Sequence, residues 1–402
     1  GRQEDLSVEA AFRVAIARTL KGGMRSATPL LRGLMNSLKV LEWAYVAEAS
    51  QLSTRTLKKV ALEEAAASSF AGSDEEMAAV AESDGLVFDG YTPFLIDHLA
   101  QGAAVRLGAV VSRVEHGDSG AMVHLSDGSV HEADYVIVTL PLGVLKCTPM
   151  EGGVMFAPPL SDAKLQAIDK LGMGTENKVL LRWEVADVFW PKDEPYLQCT
   201  DQRFRFLNCH ALGKAGVLVV MVAPPYSIAM EALSDERILD ELLPLLHATF
   251  APHTPLLPSP VEVRVTRWTA DPYARGSYSY EAVGCQFHHR SALRAPDGID
   301  KQGLPRLFFA GEACSTEAAQ CVHGAVATGE EAAAELLNAI TLRATPQHAH
   351  QPAYIVCSCR SVFDASRSMI LCDGCSNWFH DECAGVDASL FAEGEPFLCM
   401  SC

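Results

Sequence analysis

The sequence predicts an α/β (α+β) protein with a small metal-braced module at its C-terminus. Three observations carry that expectation. Apolar runs of the kind buried inside a sheet stand at residues 135–139, 216–222 and 307–310. Helical stretches at 160–171, 235–250 and 321–340 alternate with them. The last 46 residues gather seven of the 13 cysteines and one histidine into four close pairs.

Taken in order, residues 7–21 and 26–50 read as amphipathic helices, with apolar residues at three- and four-residue spacing. Ser73-Asp74-Glu75-Glu76 opens a short helix at an acidic start, as the helix dipole favours. Gly90-Tyr91-Thr92-Pro93 opens another, with proline early and Phe94, Leu95, Ile96 and Leu99 following. Short strands are expected at 104–107, 109–115, 121–125 and 129–132, the last two joined by the tight-hairpin dipeptide Asp127-Gly128. Further strands are expected at 177–184 and 261–267. Residues 341–353, polar with two prolines, read as a linker. No internal repeat is present.

At 402 residues and 49% hydrophobic, the chain can bury a large core and still carry a small module. A formal charge of −18 argues against direct DNA binding through a basic surface. It suits a basic partner such as a histone tail or a polyamine, and it serves plain solubility equally well. No apolar run reaches membrane-spanning length, so no membrane partner is expected. Outside the tail, Cys147, Cys199, Cys209, Cys285, Cys314 and Cys321 show no pairing pattern, which fits a reducing compartment. The chain starts at Gly1 rather than methionine, which suggests a fragment or an incomplete gene model.

The tail pairs are Cys357-x-Cys359, Cys372-x2-Cys375, His380-x2-Cys383 and Cys399-x2-Cys402. Four such ligands close a tetrahedral zinc site, so eight hold two Zn2+ ions. So short a segment cannot bury enough core to fold alone, and metal binding supplies on the order of 10 kcal/mol or more per site. A disulfide-rich secreted tail is the alternative, but no signal peptide accompanies it. With Trp378-Phe379-His380 at its centre, this ligand order resembles the PHD finger family over residues 354–402. The resemblance implies a cross-braced histone reader, with Cys357, Cys359, His380 and Cys383 on one ion and Cys372, Cys375, Cys399 and Cys402 on the other. It also implies an aromatic cage for methylated lysine at Phe363, Met369 and Trp378, each good cation–π contact contributing about 0.5–2 kcal/mol. Packing in a tiny core is the alternative for Phe363 and Met369. The cage tyrosine expected before the first ligand is replaced by Val356.

Two stretches upstream point to a cofactor. The strand Leu307-Phe308-Phe309-Ala310 ends at Gly311, where backbone can approach a ligand, and Glu312 follows as a hydroxyl acceptor. Cys321-Val322-His323-Gly324 then opens a long helix whose first N–H groups favour negative charge. An ordinary strand–loop–helix would read the same way. The motifs Leu38-x-x-Leu41-Glu42-Trp43, Asp89-Gly90-Tyr91, Leu140 to Lys146, Asn177-Lys178, Arg267 to Tyr278 and Phe309 to Glu312 go further. Together they make residues 1–340 resemble the C-terminal two-thirds of a flavin amine oxidase. That family contains polyamine oxidases, monoamine oxidases and lysine-specific histone demethylases. Arg267 to Tyr280 is most similar to the demethylase branch.

The resemblance implies FAD-domain parts at about 86–145 and 300–340 and substrate-domain parts at about 1–85 and 146–299. It places Val111 against the adenine, Glu312 at the ribityl–phosphate region, and Gly311, Cys321 and Val322 along the flavin. Lys178 would position a water beside flavin N5, with Trp268, Tyr273 and Tyr278 as the aromatic wall around ring and substrate amine. Monoamine oxidases tether their flavin through a cysteine where Ser277 stands, so the FAD is expected to be non-covalent. The implied chemistry is hydride transfer from the carbon beside an amine, hydrolysis of the resulting imine, and reoxidation by molecular oxygen. A quaternary trimethylammonium has no lone pair with which to form that imine.

The family's strand–G-x-G-x-x-G–helix unit is missing. Gly172-Met173-Gly174 has Asn177 in place of the third glycine and precedes a strand. The chain is therefore expected to lack the N-terminal Rossmann unit and to bind FAD poorly by itself. The leading expectation is part of a nuclear histone lysine demethylase with an attached reader. The alternatives are a polyamine oxidase that acquired a finger and a chromatin reader with a degenerate oxidase half. Glu63-Glu64 and Asp74 to Glu76 fit a basic-peptide channel or a solvated loop.

Overall fold

The computed structural model describes residues 5–19, 39, 42, 44–55, 87, 90–253, 256–286, 288–344, 369–372 and 378–380. The helix expected at Ser73, most of the one at 26–50, the acidic stretches at 63–76 and six of the eight tail ligands lie outside them. So does Phe363.

Along the chain the strands are β1 (Val111–Gly117), β2 (Gly120–Leu125), β3 (Val130–Ala133), β4 (Val136–Val138), β5 (Met155–Ala157), β6 (Leu171–Met173), β7 (Asn177–Arg182) and β8 (Tyr196–Gln198). They continue with β9 (Phe204–Leu207), β10 (Val217–Val222), β11 (Glu262–Val265), β12 (Ser279–Glu281), β13 (Leu307–Phe309), β14 (Met369–Leu371) and β15 (Trp378–His380). The principal helices are α1 (Val8–Thr19), α2 (Leu142–Lys146), α3 (Asp162–Lys170), α4 (Asp235–Phe250), α5 (His288–Arg294) and α6 (Val322–Ala344). Among the described residues no helix is long and apolar enough to cross a membrane. The chain divides into two compact units.

The first unit comprises Gly1–Ser53, Val110–Glu176 and Arg267–Cys402. One sheet runs β3-β2-β1-β5, antiparallel except for the β1–β5 pair. Its β2–β3 turn forms at Asp127-Gly128, where glycine takes φ +85° and the Asp127 Oδ1 accepts from the Ser129 N–H at 2.8 Å. The functionally important pair is β4 with β13, parallel and in register Val136↔Leu307. Strand alternation divides β13 between two layers. Leu307 and Phe309 pack with Val138, Leu142, Ile168 and Leu293. Phe308 and Ala310 pack against Ala332 and Ala339 of α6. Each buried phenylalanine contributes about 1.5–3 kcal/mol. β4 is less enclosed than its apolar run predicts: Ile137 is exposed, because only one neighbouring strand covers it among the described residues.

The second unit comprises Thr54–Ala109 and Asn177–Thr266. Its antiparallel sheet runs β11-β7-β10-β9-β8. α4 starts at Ser234, whose Oγ accepts from the Arg237 N–H, with Asp235 and Glu236 in its first turn. Ile238, Leu242 and Leu246, spaced by four, seal its inner face against Val179, Leu181, Phe206 and Val220. On β7, Val179 and Leu181 are buried and Lys178 alternates to the less buried face.

Two expectations in this unit need correction. Residues 104–107 form no strand; Val105 and Leu107 alternate as strand residues do, but Leu107 is 88% exposed and no partner strand completes a ladder among the described residues. The helix at Pro93 forms as a short π-helix, Pro93–Leu99, that buries none of its apolar side chains.

Candidate functional site

In parallel sheets, ligands bind in the crevice outside the carboxyl ends of the strands. A cavity of about 230 Å³ lies at that place in the first unit. Thr139, Leu140 and Pro141 leave β4 along one wall, and Ala310 to Cys314 leave β13 along another. Trp268, Ser277 and Met173 complete it. A larger groove, about 750 Å³, opens along β1–β3 beside Arg113, Glu115 and His116, but shares no residue with the carboxyl ends of β4 and β13.

Gly311 is the pivot of the wall. Its φ of +130° is rarely adopted by L side chains, and a Cβ there would meet nothing within 4 Å, so the backbone stands bare toward open space. Its N–H donates to Thr328 Oγ1 at 3.0 Å, which ties the strand end to α6. The start of α6 is tightly packed, since a Cβ on Gly324 would lie 1.9 Å from the Ala318 carbonyl oxygen.

The Glu312 carboxylate is held by the protein itself. Oε1 accepts from the Ser279 N–H at 3.0 Å, and Oε2 accepts from the Ser279 hydroxyl at 2.8 Å and the Gln320 N–H at 2.9 Å. Three of a carboxylate's roughly four lone-pair directions are thus filled.

The loop from Arg267 to Tyr278 is pinned by its backbone. The Gly276 N–H donates to the Trp268 carbonyl at 2.9 Å, and the Ser277 N–H to the Gly174 carbonyl at 2.8 Å. Glycine is required at 276, where φ is +142° and a Cβ would sit 2.5 Å from Met173. Trp268 reaches the cavity, while Tyr273 is exposed. Tyr278 is half-buried, and burial, reinforced by nearby Glu176, Cys321 and Glu312, pushes its phenol up.

The first unit therefore brings Gly311, Glu312, Trp268, Tyr278 and Cys321 into one neighbourhood. Val322 opens α6 beside them, exposed, and Val111 lies half-buried at the start of β1. Lys178 belongs to the second unit, paired across the sheet with Met221. Of the tail ligands, Cys372, directly after β14, and His380, at the end of β15, are described and fully buried; the two strands pair Met369 with His380 and Leu371 with Trp378. Ser279, Gln320 and Arg290, which surround Glu312, had no local sequence signal; only the fold brings them together.

Residues 48–337 match the family described as flavin containing amine oxidoreductase. The chain belongs to that family. Residues 357–402 match the PHD-finger family, so a PHD finger follows the amine oxidoreductase domain. The chain is 36% identical over 252 residues to Polyamine oxidase 2 of Arabidopsis thaliana, covering 62% of this chain and 48% of that protein. It is 32% identical over 252 residues to Lysine-specific histone demethylase 1 homolog 2 of Oryza sativa subsp. japonica, covering 61% and 32%. It is 34% identical over 251 residues to Possible lysine-specific histone demethylase 1 of Drosophila melanogaster, covering 58% and 28%. The chain thus spans about half the length of the first relative and about a third or less of the other two. The bare Gly311 backbone, the opening beyond it and the helix start nearby fit the flavin that the family name implies.

Proposed function

We propose that the full protein is a nuclear FAD-dependent amine oxidase that demethylates mono- or dimethyl-lysine on a histone tail, with its PHD finger as the reader. One observation carries this reading: an amine oxidoreductase domain and a PHD finger share one chain, and a small-amine oxidase has no use for a histone reader. The formal charge of −18 supports a basic peptide partner.

When bound, FAD supplies the hydride acceptor for oxidation of the carbon beside the amine. Val111, Gly311, Glu312, Cys321 and Val322 would hold it through backbone and carboxylate. Ser277, in place of a tethering cysteine, leaves it non-covalent. Trp268, Tyr273 and Tyr278 form a polar-tipped aromatic wall that admits an amine and excludes bulk water. Lys178 holds a water for the reacting centre, and molecular oxygen is the second substrate. In the finger, the eight ligands from Cys357 to Cys402 hold two Zn2+ ions, and Phe363, Met369 and Trp378 cage the methylated lysine.

A second reading, a polyamine oxidase with an appended finger, is favoured by the 36% identity to Polyamine oxidase 2. Peroxide release by the full-length protein separates them. Turnover of a dimethyl-lysine histone peptide in preference to spermine supports the demethylase, and the reverse preference supports the second reading. Peptide binding with no peroxide from either substrate would instead mark a chromatin reader with a silent oxidase half.

A further inference from the structure

The groups around Glu312 form a closed clasp. Arg290, on α5, is 5% exposed. Its Nε donates to Glu281 Oε1 at 2.6 Å, and its Nη1 donates to Ser279 Oγ at 2.8 Å and to the Ala313 carbonyl at 3.1 Å. The Ser279 hydroxyl in turn donates to Glu312 Oε2 at 2.8 Å, so a buried guanidinium, a hydroxyl and a carboxylate stand in one polarised row. Gln320 closes the ring: its N–H donates to Glu312 and its Nε2 donates to the Ser279 carbonyl at 2.7 Å. Gln320 also holds φ +69°, a left-handed conformation that a residue other than glycine keeps only when its surroundings impose it.

The clasp joins three segments that meet nowhere else in sequence. One is β12, directly after Tyr278. The second is the turn Gly311–Cys314. The third is Gln320, directly before Cys321 and the first residue of α6. Each carries a group assigned above to flavin or substrate. From this geometry, and resting on the proposed flavin site, we infer that Arg290 is a positioning residue for FAD. It touches neither flavin nor substrate; it acts through Ser279 and Glu312 to fix the spacing between the Tyr278 strand, the Gly311 turn and the start of α6. A guanidinium suits the task because its rigid fork reaches Glu281 through Nε and both Ser279 and the Ala313 carbonyl through Nη1.

The test uses the full-length protein, FAD titration followed by quenching of flavin fluorescence, and the visible flavin spectrum. Arg290→Lys and Ser279→Ala should each weaken FAD binding about tenfold and shift the resolved shoulder of the flavin band. Steady-state kinetics should show kcat falling with little change in KM for the amine. Arg306→Lys is the control: Arg306 is 4% exposed and holds Asp300 and the Asp118 and Asp134 carbonyls, away from the clasp. It should lower thermal stability while leaving FAD affinity within about twofold. Should Arg290→Lys fail to fold, Ser279→Ala, which removes one hydroxyl, carries the test. Wild-type affinity in the clasp variants, or an equal loss in Arg306→Lys, overturns the inference while the flavin site stands. Full-length wild-type protein with no affinity for FAD overturns the proposed function and this inference with it.

Discussion

The Lys164 ammonium lies 3.7 Å from the centroid of the Phe309 ring, within the wall that backs the cavity. It donates to the carbonyls of Ala292 at 3.1 Å, Leu293 at 2.6 Å and Ala295 at 2.5 Å, capping the end of α5. Lys164→Met keeps the side-chain length and removes the donors. Urea unfolding should show a loss of about 2–4 kcal/mol, since three carbonyls, one buried and two partly buried, lose their partner.

The same lysine sets a pH dependence. Burial pulls its pKa down from 10.5 to about 8, against the pull of Cys314, Asp297 and Glu335. Between those two values the unfolded chain holds a proton that the folded chain has shed. The charge therefore opposes folding below about pH 8, and this opposition fades as pH rises toward 10.5. The stability of wild type minus that of Lys164→Met should grow by roughly 3 kcal/mol across this window. A difference that stays flat or shrinks would place the proton wrongly.

Two glycines of α6 should respond to alanine with opposite signs. At Gly324 the new Cβ meets the Ala318 carbonyl oxygen at 1.9 Å and Ser315 Oγ at 3.1 Å, and backbone cannot yield cheaply. The loss should be about 2–3 kcal/mol or more. At Gly329 nothing lies within 4 Å, and a mid-helix alanine should gain about 0.5–1 kcal/mol. Paired denaturant melts check both.

For Lys178→Met in the full-length protein, peroxide release should fall roughly a hundredfold. The flavin absorbance should stay stoichiometric. An unchanged rate would mark Lys178 as an ordinary solvated strand residue.

In the finger, His380 is fully buried at the end of β15. Loss of one ligand opens a four-coordinate site, so His380→Ala should lower bound zinc from about two ions per chain to about one, read by metal analysis. A chelator should release the remainder and abolish binding to a methylated peptide.

What could be read in advance followed from periodicity. Val136 to Val138, Val217 to Val222 and Leu307 to Phe309 announce themselves as β-branched or aromatic runs, and α4 through its four-residue apolar spacing. β5, β6, β8 and β12 are three residues each, too short for any period to show. The clasp escaped for a different reason. Ser279 and Glu312 are 33 residues apart, and Arg290 stands in a helix of seven residues with no pattern that sets it apart from a surface arginine. Glu312 was legible as a site residue, but the donors that occupy it were not. Lys164 reads in sequence as one more polar residue of α3; only tertiary packing turns it inward.

The pairing of Val136 with Leu307 has a kinetic meaning. Both walls of the cavity descend from that one ladder, and its paired residues Val136 and Leu307 stand 171 positions apart in the sequence. Closing so long a loop is entropically slow, and it yields nothing until the intervening chain has condensed. The ligand crevice should thus be among the last parts to assemble during refolding, well after the local hairpins of β1 to β3.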